Sequence, residues 1–147
     1  MKAKYCLQCN LGDGWSTASG MEKDELGNES LHIEASACDG SFVDISFGVM
    51  PDGDTARDQA FACYVDMVGF SSDDPEGFDP LAKIKFNGRP AWGFDAYCED
   101  DTPMRLLAQE MRTGSLAVIV FGAPDRDRLV ALHLKLERSL RIHASQD

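Results

Sequence analysis

Residues 31–49 carry the clearest pattern in the chain, because apolar and polar side chains alternate there with the period of a β-strand. A two-residue loop around Gly40 would set Ile33 opposite Ser46, an apolar side chain opposite a polar one. A three-residue loop ending at Gly40 instead sets Ile33 opposite Ile45. The pattern therefore predicts a hairpin in which a type I turn is followed by a left-handed glycine bulge. Its apolar pairs would be Leu31 with Phe47, Ile33 with Ile45 and Ala35 with Val43.

Two other segments follow the helical period of 3.6 residues. The first begins after Asp54, a candidate N-cap, and ends at Gly69. The second begins after Asp125 and runs to Ile142, with leucines along one stripe. His133 lies at the margin of that stripe, where a packed histidine is commoner than a ligand. The apolar positions are Ala56, Ala60, Phe61, Tyr64, Met67 and Val68 in the first helix, and Leu129, Leu132, Leu136 and Leu140 in the second.

Several remaining stretches are typical of strands. Residues 82–98 form two apolar stretches on either side of Asn87-Gly88. Residues 115–122 are apolar at both odd-numbered and even-numbered positions, which is typical of a strand buried on both faces. Residues 103–112 fit two structures, because Thr102-Pro103 resembles a helix start while the alternation of apolar residues fits a strand. Propensity alone favours a helix there.

Cys6 and Cys9 form a C-x-x-C spacing that raises the question of a redox or zinc site. Residues 4–11 alternate like a strand, which would place these two thiols on opposite faces. No helix signal follows the pair, although a redox motif of this spacing normally sits at a helix N-terminus. No second C-x-x-C and no paired histidines supply further zinc ligands. The segment is therefore predicted to be an ordinary strand, with no metal and no cofactor.

The 147 residues carry a formal net charge of −11, which predicts one acidic domain. Residues 1–88 hold 6 Lys/Arg and 16 Asp/Glu, so most of the negative charge lies in this part. Such a surface repels phosphate backbones, so nucleic-acid binding is disfavoured, whereas a basic protein partner would be attracted. The predicted hairpin adds a local detail, because Glu34 would lie opposite Asp44. This repulsion indicates that their face of the hairpin is in contact with solvent.

The sequence is similar to the PsbP-like (Mog/PsbP) superfamily. The similarity is carried by Phe94-Asp95-Ala96-Tyr97, by residues 114–124, which read G-x-L-x-V-I-V-x-x-A-P, and by LERSLRI at 136–142. The resemblance implies an α+β fold, a twisted antiparallel sheet of about six strands with helices packed on its faces. It also implies that 103–112 is a strand, since strands at 91–98 and 115–122 would then have a partner between them. Members are mostly binding proteins: photosystem subunits, a Ran-binding factor, secretion-linked chaperones and lipoproteins.

These observations favour a non-enzymatic protein-binding or accessory module, in concrete form a chaperone or immunity partner of a bacterial secreted effector. Trp15 and Trp92 are the candidate binding residues, because aromatic side chains dominate interface energetics; the alternative is that both lie in the core. An odd number of cysteines, five, and the absence of an apolar signal segment predict a cytoplasmic location. The longest apolar run, 116–123, is too short to span a membrane.

Two alternatives remain open. A small-ligand carrier would use a cleft between sheet and helix. A cysteine-dependent enzyme would pair Cys63 or Cys98 with His133, since such pairs assemble in space rather than along the sequence. No catalytic residue is assigned, because the chain lacks the familiar hydrolase, zinc-protease and nucleotide-binding motifs. Ser16 and Ser19 are expected to lie in a small-residue loop with no identified base.

Overall fold

The computed structural model describes residues 4–145 except 24, 26, 28, 51–52, 70–78 and 113. Within this part of the chain there are nine strands and two helices. In chain order they are β1 Lys4–Cys9, β2 Trp15–Lys23, β3 Glu29–Ala37, β4 Phe42–Val49, α1 Ala56–Met67, β5 Ala82–Phe86, β6 Arg89–Tyr97, β7 Pro103–Arg112, β8 Ser115–Gly122, α2 Arg126–Ser139 and β9 Leu140–Ser145. Neither helix in the described part is long and apolar enough to cross a membrane.

Seven of the strands form one antiparallel sheet in the order β2-β3-β4-β8-β7-β6-β5. The other two, β1 and β9, pair with each other as a separate antiparallel ribbon. The expected α+β class with an antiparallel sheet is confirmed. The expected count of about six strands is replaced by seven in the main sheet, because residues 15–23 add a strand at one edge.

The hairpin of β3 and β4 has the predicted register, with Ile33 opposite Ile45. Its turn has the predicted form: Gly40 has a φ of 95°, in the left-handed region that glycine adopts without strain. The Ala37 N–H donates to the Ser41 carbonyl at 2.9 Å, and the Gly40 N–H donates to the Ala37 carbonyl at 3.1 Å. The alternation of apolar residues therefore identified both the turn and the pairing.

Residues 103–112 form a strand, β7, as the resemblance implied and against helix propensity. The strand is hydrogen-bonded on both sides, to β6 and to β8. Its side chains are buried on both faces, since Leu106 and Leu107 are neighbours in sequence and both fully buried. Two ladders and two apolar faces stabilise this strand more than the small difference in propensity opposes it.

Two hydrophobic cores lie on opposite faces of the sheet. On one face α2 packs across β7 and β8 beside β1, and it buries Leu129, Leu132 and Leu136. On the other face α1 packs on β6 and β7, where the rings of Tyr64 and Phe94 meet edge to face at 5.1 Å between centroids. The sheet is thus the shared middle layer, and its two faces differ in how far they are covered.

The structure corrects three details of the sequence interpretation. Residues 15–23 are strand β2 and not a loop; both of its faces are largely exposed, so no apolar alternation marks it. The second helix ends at Ser139, and the segment from Leu140 is strand β9. Leu140 is nevertheless buried at the next helical position, which hid the change. The first helix is capped by Thr55 rather than Asp54, because Thr55 and Asp58 form a reciprocal capping box.

Candidate functional site

In the part of the chain that the structure describes, no helix packs on the α1-bearing face of strands β2, β3 and β4. The main packing of α1 on that face is against β6 and β7. The register of the three strands arranges nine residues as a grid of three rows, which we call the open face. The rows are Ser16, Ser36 and Phe42; Ala18, Glu34 and Asp44; and Gly20, His32 and Ser46. Six of the nine are exposed and the other three are half-buried, so the face is accessible to a partner.

Two carboxylates lie next to each other at the centre of the open face. Glu34 on β3 is directly opposite Asp44 on β4, as the sequence predicted. Desolvation and the negative charge of Glu34 raise the pKa of Asp44, while His32 acts in the opposite direction. Like charges directly opposite each other destabilise a sheet. The fold therefore keeps a repulsive pair on an exposed face, and a bound cation would relieve that repulsion.

His32 links this pair to its neighbours. Its Nδ1 is 3.2 Å from the Ser46 hydroxyl and its Nε2 is 3.3 Å from the Ser30 hydroxyl. The Glu22 carboxylate lies 3.7 Å from Nε2. A hydroxyl both donates and accepts hydrogen bonds, so either neutral tautomer and the imidazolium are all accommodated by these two serines. The row thus presents a polar side chain held in place at both ring nitrogens.

The order Ser46, His32, Glu22 resembles that of a hydrolase triad, but the surrounding backbone does not support acyl transfer. Strand β4 lies inside the sheet, and its N–H groups bond to β3 or β8 in the plane of the ladder. Acyl transfer needs N–H donors aimed at the oxygen that becomes negative beside the nucleophile. Ser46 projects from the middle of this ladder, so the N–H groups of its own strand are already bonded and are not aimed at a site beside its hydroxyl.

The open face carries two adjoining shallow concavities of about 440 and 500 Å³. Glu34 and Asp44 line both of them. The first extends towards Ser16 and Ser36, and the second towards Met21 on the outer strand β2. Both concavities therefore share the same two acids, while the first is also lined by Phe42 and the second by Met21 and His32.

The structure places Trp15 and Trp92 on opposite faces of the sheet, so it does not bring them together. Trp15 packs against the core under α2, with the Lys135 ammonium 5.9 Å from its ring centroid. Trp92 packs against the core under α1, and the cationic groups of Arg57 and Lys83 each lie 5.4 Å from its ring centroid. Both rings are half-buried. Neither belongs to the open face, whose residues the sequence analysis did not select as a site.

A second polar cluster lies between the sheet and α2, around Asp95. The Asp95 carboxylate accepts hydrogen bonds from Arg105 Nε at 2.6 Å and Nη2 at 3.0 Å, and from Arg126 Nη1 at 2.8 Å. Arg105 Nη1 lies 3.2 Å from His133 Nδ1. Because a guanidinium only donates, Nδ1 must accept, and the proton of the neutral ring is on Nε2. Glu137 Oε1 is 3.6 Å from that nitrogen.

His133 in this cluster is a packed side chain, as expected. It is 7% exposed and lies edge-on to the rings of Phe86 and Phe121. Burial and the nearby Arg105 charge lower its pKa, so the neutral form is favoured. These hydrogen bonds fasten α2 to β6 and β7.

The thiols that a cysteine-dependent enzyme would use lie in unfavourable surroundings. Burial raises the pKa of Cys63, and the Asp66 charge adds to the effect. Burial and Asp100 likewise raise the pKa of Cys98. Cys63 belongs to α1 and packs against the core on the face of the sheet opposite His133, so those two side chains are separated by the sheet. A raised pKa lowers the thiolate fraction, which is the nucleophilic form.

The cysteines of the C-x-x-C spacing lie on a strand, as predicted, with Cys6 exposed and Cys9 half-buried. Burial raises the pKa of Cys9 to about 11. We expect iodoacetamide at neutral pH to modify the exposed Cys6 and Cys38 first, with Cys9, Cys63 and Cys98 following slowly. Peptide mass spectrometry over a time course measures this order. Modification of Cys63 or Cys98 ahead of both exposed thiols would favour the enzyme alternative.

In the described part of the chain, no three histidine, cysteine or acidic side chains are grouped so that they could hold a metal ion. The open face is therefore the strongest candidate site by its exposure, shape and charge. The chain was also compared with protein-family models, with curated proteins and with solved structures, and none of the three comparisons gave a match.

Proposed function

We propose that this chain is a non-enzymatic protein-binding module and that its open face binds a basic segment of the partner. The single observation that carries the proposal is the Glu34–Asp44 pair, two carboxylates directly opposite each other and both exposed among the residues that the structure describes. A lysine or arginine placed between them would replace a repulsion with two attractions. The net charge of −11 would also speed the approach of a basic partner.

The sequence resemblance supports the same type of function, since members of the PsbP-like superfamily are mostly binding proteins. In this proposal the chain belongs to that superfamily and acts as a chaperone or immunity partner of a bacterial secreted effector. Its five cysteines, all of them free, fit a reducing compartment such as the cytoplasm. An acidic accessory protein of this kind would hold a basic effector in a soluble complex.

A small-ligand carrier is the second candidate, and the two concavities are the observation that favours it. Their volumes fall within the range of known ligand pockets, about 300 to 1,000 Å³. The acids that line them would select a cationic ligand. Native mass spectrometry of protein purified from its own host separates the two candidates. A co-purifying basic polypeptide supports the first, and a small cationic adduct supports the second.

The partner is tested by affinity capture with two paired variants. The double variant Glu34→Gln/Asp44→Asn removes both central charges, and Glu99→Gln is the control for lost charge, because Glu99 lies in the exposed turn between β6 and β7. A genuine partner is retained by wild type and by Glu99→Gln and is lost with the double variant. If every captured protein binds all three equally, the open face is not the binding site and the proposal fails.

Asp44→Asn should stabilise the free protein slightly while it weakens binding of a basic partner. The raised pKa of Asp44 means that its charge costs stability at neutral pH. Solvent screens this exposed group, so we expect a gain of less than about 1 kcal/mol. Because protonation relieves the cost, wild type should approach the variant as the pH falls through the folded pKa of Asp44. Thermal unfolding at several pH values measures this, and a variant less stable than wild type at neutral pH would contradict it.

A further inference from the structure

We infer that the outer edge of β2, which pairs with no other strand among the described residues, accepts an extended basic segment of the partner as an added antiparallel strand. The inference rests on the proposed function and gives it a mode of binding. Added strands of this kind gain affinity from main-chain hydrogen bonds and specificity from alternate side chains. Three features of β2 carry the inference: the character of its edge, the direction of its backbone groups and its distance from Glu34.

The two edges of the main sheet differ in how they are protected. Strand β5, at one edge, has only five residues and carries Lys83 and Lys85, and short charged edges resist pairing with other chains. Strand β2, at the other edge, has nine residues. From Trp15 to Met21 it contains no charged residue and no proline. A long uncharged edge is a template for a further strand, and here it borders the open face.

The turn of the neighbouring hairpin shows which backbone groups of β2 point outward. The Ala37 N–H bonds to Ser41, so the backbone groups of Ala37 point towards β4. The N–H and carbonyl groups of successive residues point alternately to the two sides of a strand. Those of Ser36 therefore point towards β2, where they bond to Ser16. By the same alternation Ala18 and Gly20 are bonded to β3. The N–H and carbonyl groups that face outward belong to Trp15, Thr17, Ser19 and Met21.

An added strand would bring lysines within reach of the central acids. Neighbouring strands are about 4.8 Å apart, so the added strand would lie about 10 Å from β3. Ala18 stands between the added strand and Glu34, directly opposite Glu34 in the register. Its methyl group leaves the space above the sheet free. A lysine stem lying over Ala18 would therefore bring its ammonium to the Glu34 carboxylate.

The same geometry disfavours a second copy of this chain as the occupant. Residues 15–21 contain no basic side chain to place beside Glu34. Pairing two β2 edges would also bring together two acidic open faces, each with Glu22, Glu34 and Asp44 nearby. Two chains of net charge −11 repel each other. A basic segment of a different protein is therefore the occupant that the charges fit.

The test uses two peptides of nine residues, acetylated and amidated, in which lysine alternates with valine. One has ordinary peptide bonds, and the other is N-methylated at each valine, whose N–H groups face β2 when the lysines lie over the open face, so its charge is equal but it cannot complete that ladder. We expect wild type to bind the ordinary peptide and to bind the methylated one at least about 10-fold more weakly, since several hydrogen bonds are lost. Isothermal titration calorimetry at low ionic strength measures both affinities.

Two further measurements locate the contact on β2. Ser19→Pro removes one outward N–H and leaves the bonds to β3 in place, so it should weaken the ordinary peptide several-fold; Ser19→Thr keeps the N–H and is the control. Thermal unfolding checks that both variants fold. Hydrogen exchange on wild type needs no variant: the peptide should slow exchange at Thr17, Ser19 and Met21, while Ala18 and Gly20, already bonded to β3, change little.

The outcomes separate this inference from the function on which it rests. If both peptides bind wild type equally and Glu34→Gln/Asp44→Asn weakens both, the acidic face binds and the added strand is refuted. If neither peptide binds, both proposals are overturned. If the protein alone forms a dimer that Ser19→Pro dissociates, the edge pairs with a second copy and the inferred occupant is wrong.

Discussion

Replacing Gly93 with alanine should destabilise the fold by about 3 kcal/mol or more, the largest effect that we expect from one added methyl group. Gly93 is buried in β6, opposite Leu107 of β7. A Cβ atom there would clash with the carbonyl oxygen of Leu106 and approach Leu107 Cδ2 to 3.0 Å. A carbonyl held in a ladder cannot rotate away as a flexible side chain would, so β6 and β7 would have to separate.

Gly20→Ala is the matched control for this substitution. Gly20 is also a strand glycine of the same sheet, but an added Cβ there meets no atom within 4 Å. We expect its free energy of unfolding to stay within about 0.5 kcal/mol of wild type. Denaturation with urea measures both variants. If Gly93→Ala were as stable as Gly20→Ala, the close packing of β6 on β7 described above would be wrong.

Asp95→Asn should have the next largest effect, a loss of about 2 kcal/mol, because Asp95 accepts charge-assisted hydrogen bonds from both Arg105 and Arg126. Desolvation opposes its ionisation, but these two arginines outweigh it and hold the pKa of Asp95 below its usual range. The Asp95 side chain is 28% exposed and that of Arg105 is 17% exposed, so the network is only partly screened by solvent. Its loss would loosen the attachment of α2 to β6 and β7.

The pH dependence of this effect follows from the direction of the shift. A carboxyl whose pKa is lowered in the folded state contributes stability above its unfolded pKa, near 4, and loses it as the pH falls through the folded value. The difference between wild type and Asp95→Asn should therefore be full at neutral pH and shrink below about pH 4. Urea denaturation at a series of pH values measures it. A difference that did not change with pH would indicate that packing, not charge, is responsible.

Asp79→Asn provides the comparison for Asp95→Asn. Asp79 and Arg57 also form a close ion pair, at 2.6 Å, but their side chains are 52% and 40% exposed. Water competes for both groups, and exposed ion pairs contribute little to stability. We expect a clearly smaller loss than for Asp95→Asn. Equal losses would mean that the partial burial of Asp95 and its second arginine add nothing.

Much of the fold follows from local sequence. In the β3–β4 hairpin the alternation runs over both strands, and only one register matches the apolar residues, so both turn and pairing were predicted. Helix α2 was predicted from its leucine stripe. Strand β7 was not decided by its own residues, because both helix and strand fit them. The choice between helix and strand depends on the two neighbouring strands, β6 and β8. The resemblance implied these neighbours, and the structure confirms them.

The candidate site was only partly foreseen. The repulsive pair of Glu34 and Asp44 was read from the register of the hairpin, together with its contact with solvent. Residue type pointed instead to Trp15 and Trp92, because aromatic residues are the usual anchors of interfaces. Nothing else in the sequence supported that prediction. The open face depends on where α1 packs, and no local pattern in the sequence states this.

By itself the sequence determined the register of one hairpin, the two helices, the alternation of Cys6 and Cys9 and the acidic surface. Each of these is visible because a periodic pattern reports which side of a single element is buried. Tertiary structure alone decided the edge strand β2, because β2 has no buried face to produce a pattern. It likewise decided the pairing of β1 with β9, which joins the two ends of the described chain. It also decided the open face, since the burial of one element depends on which others lie against it.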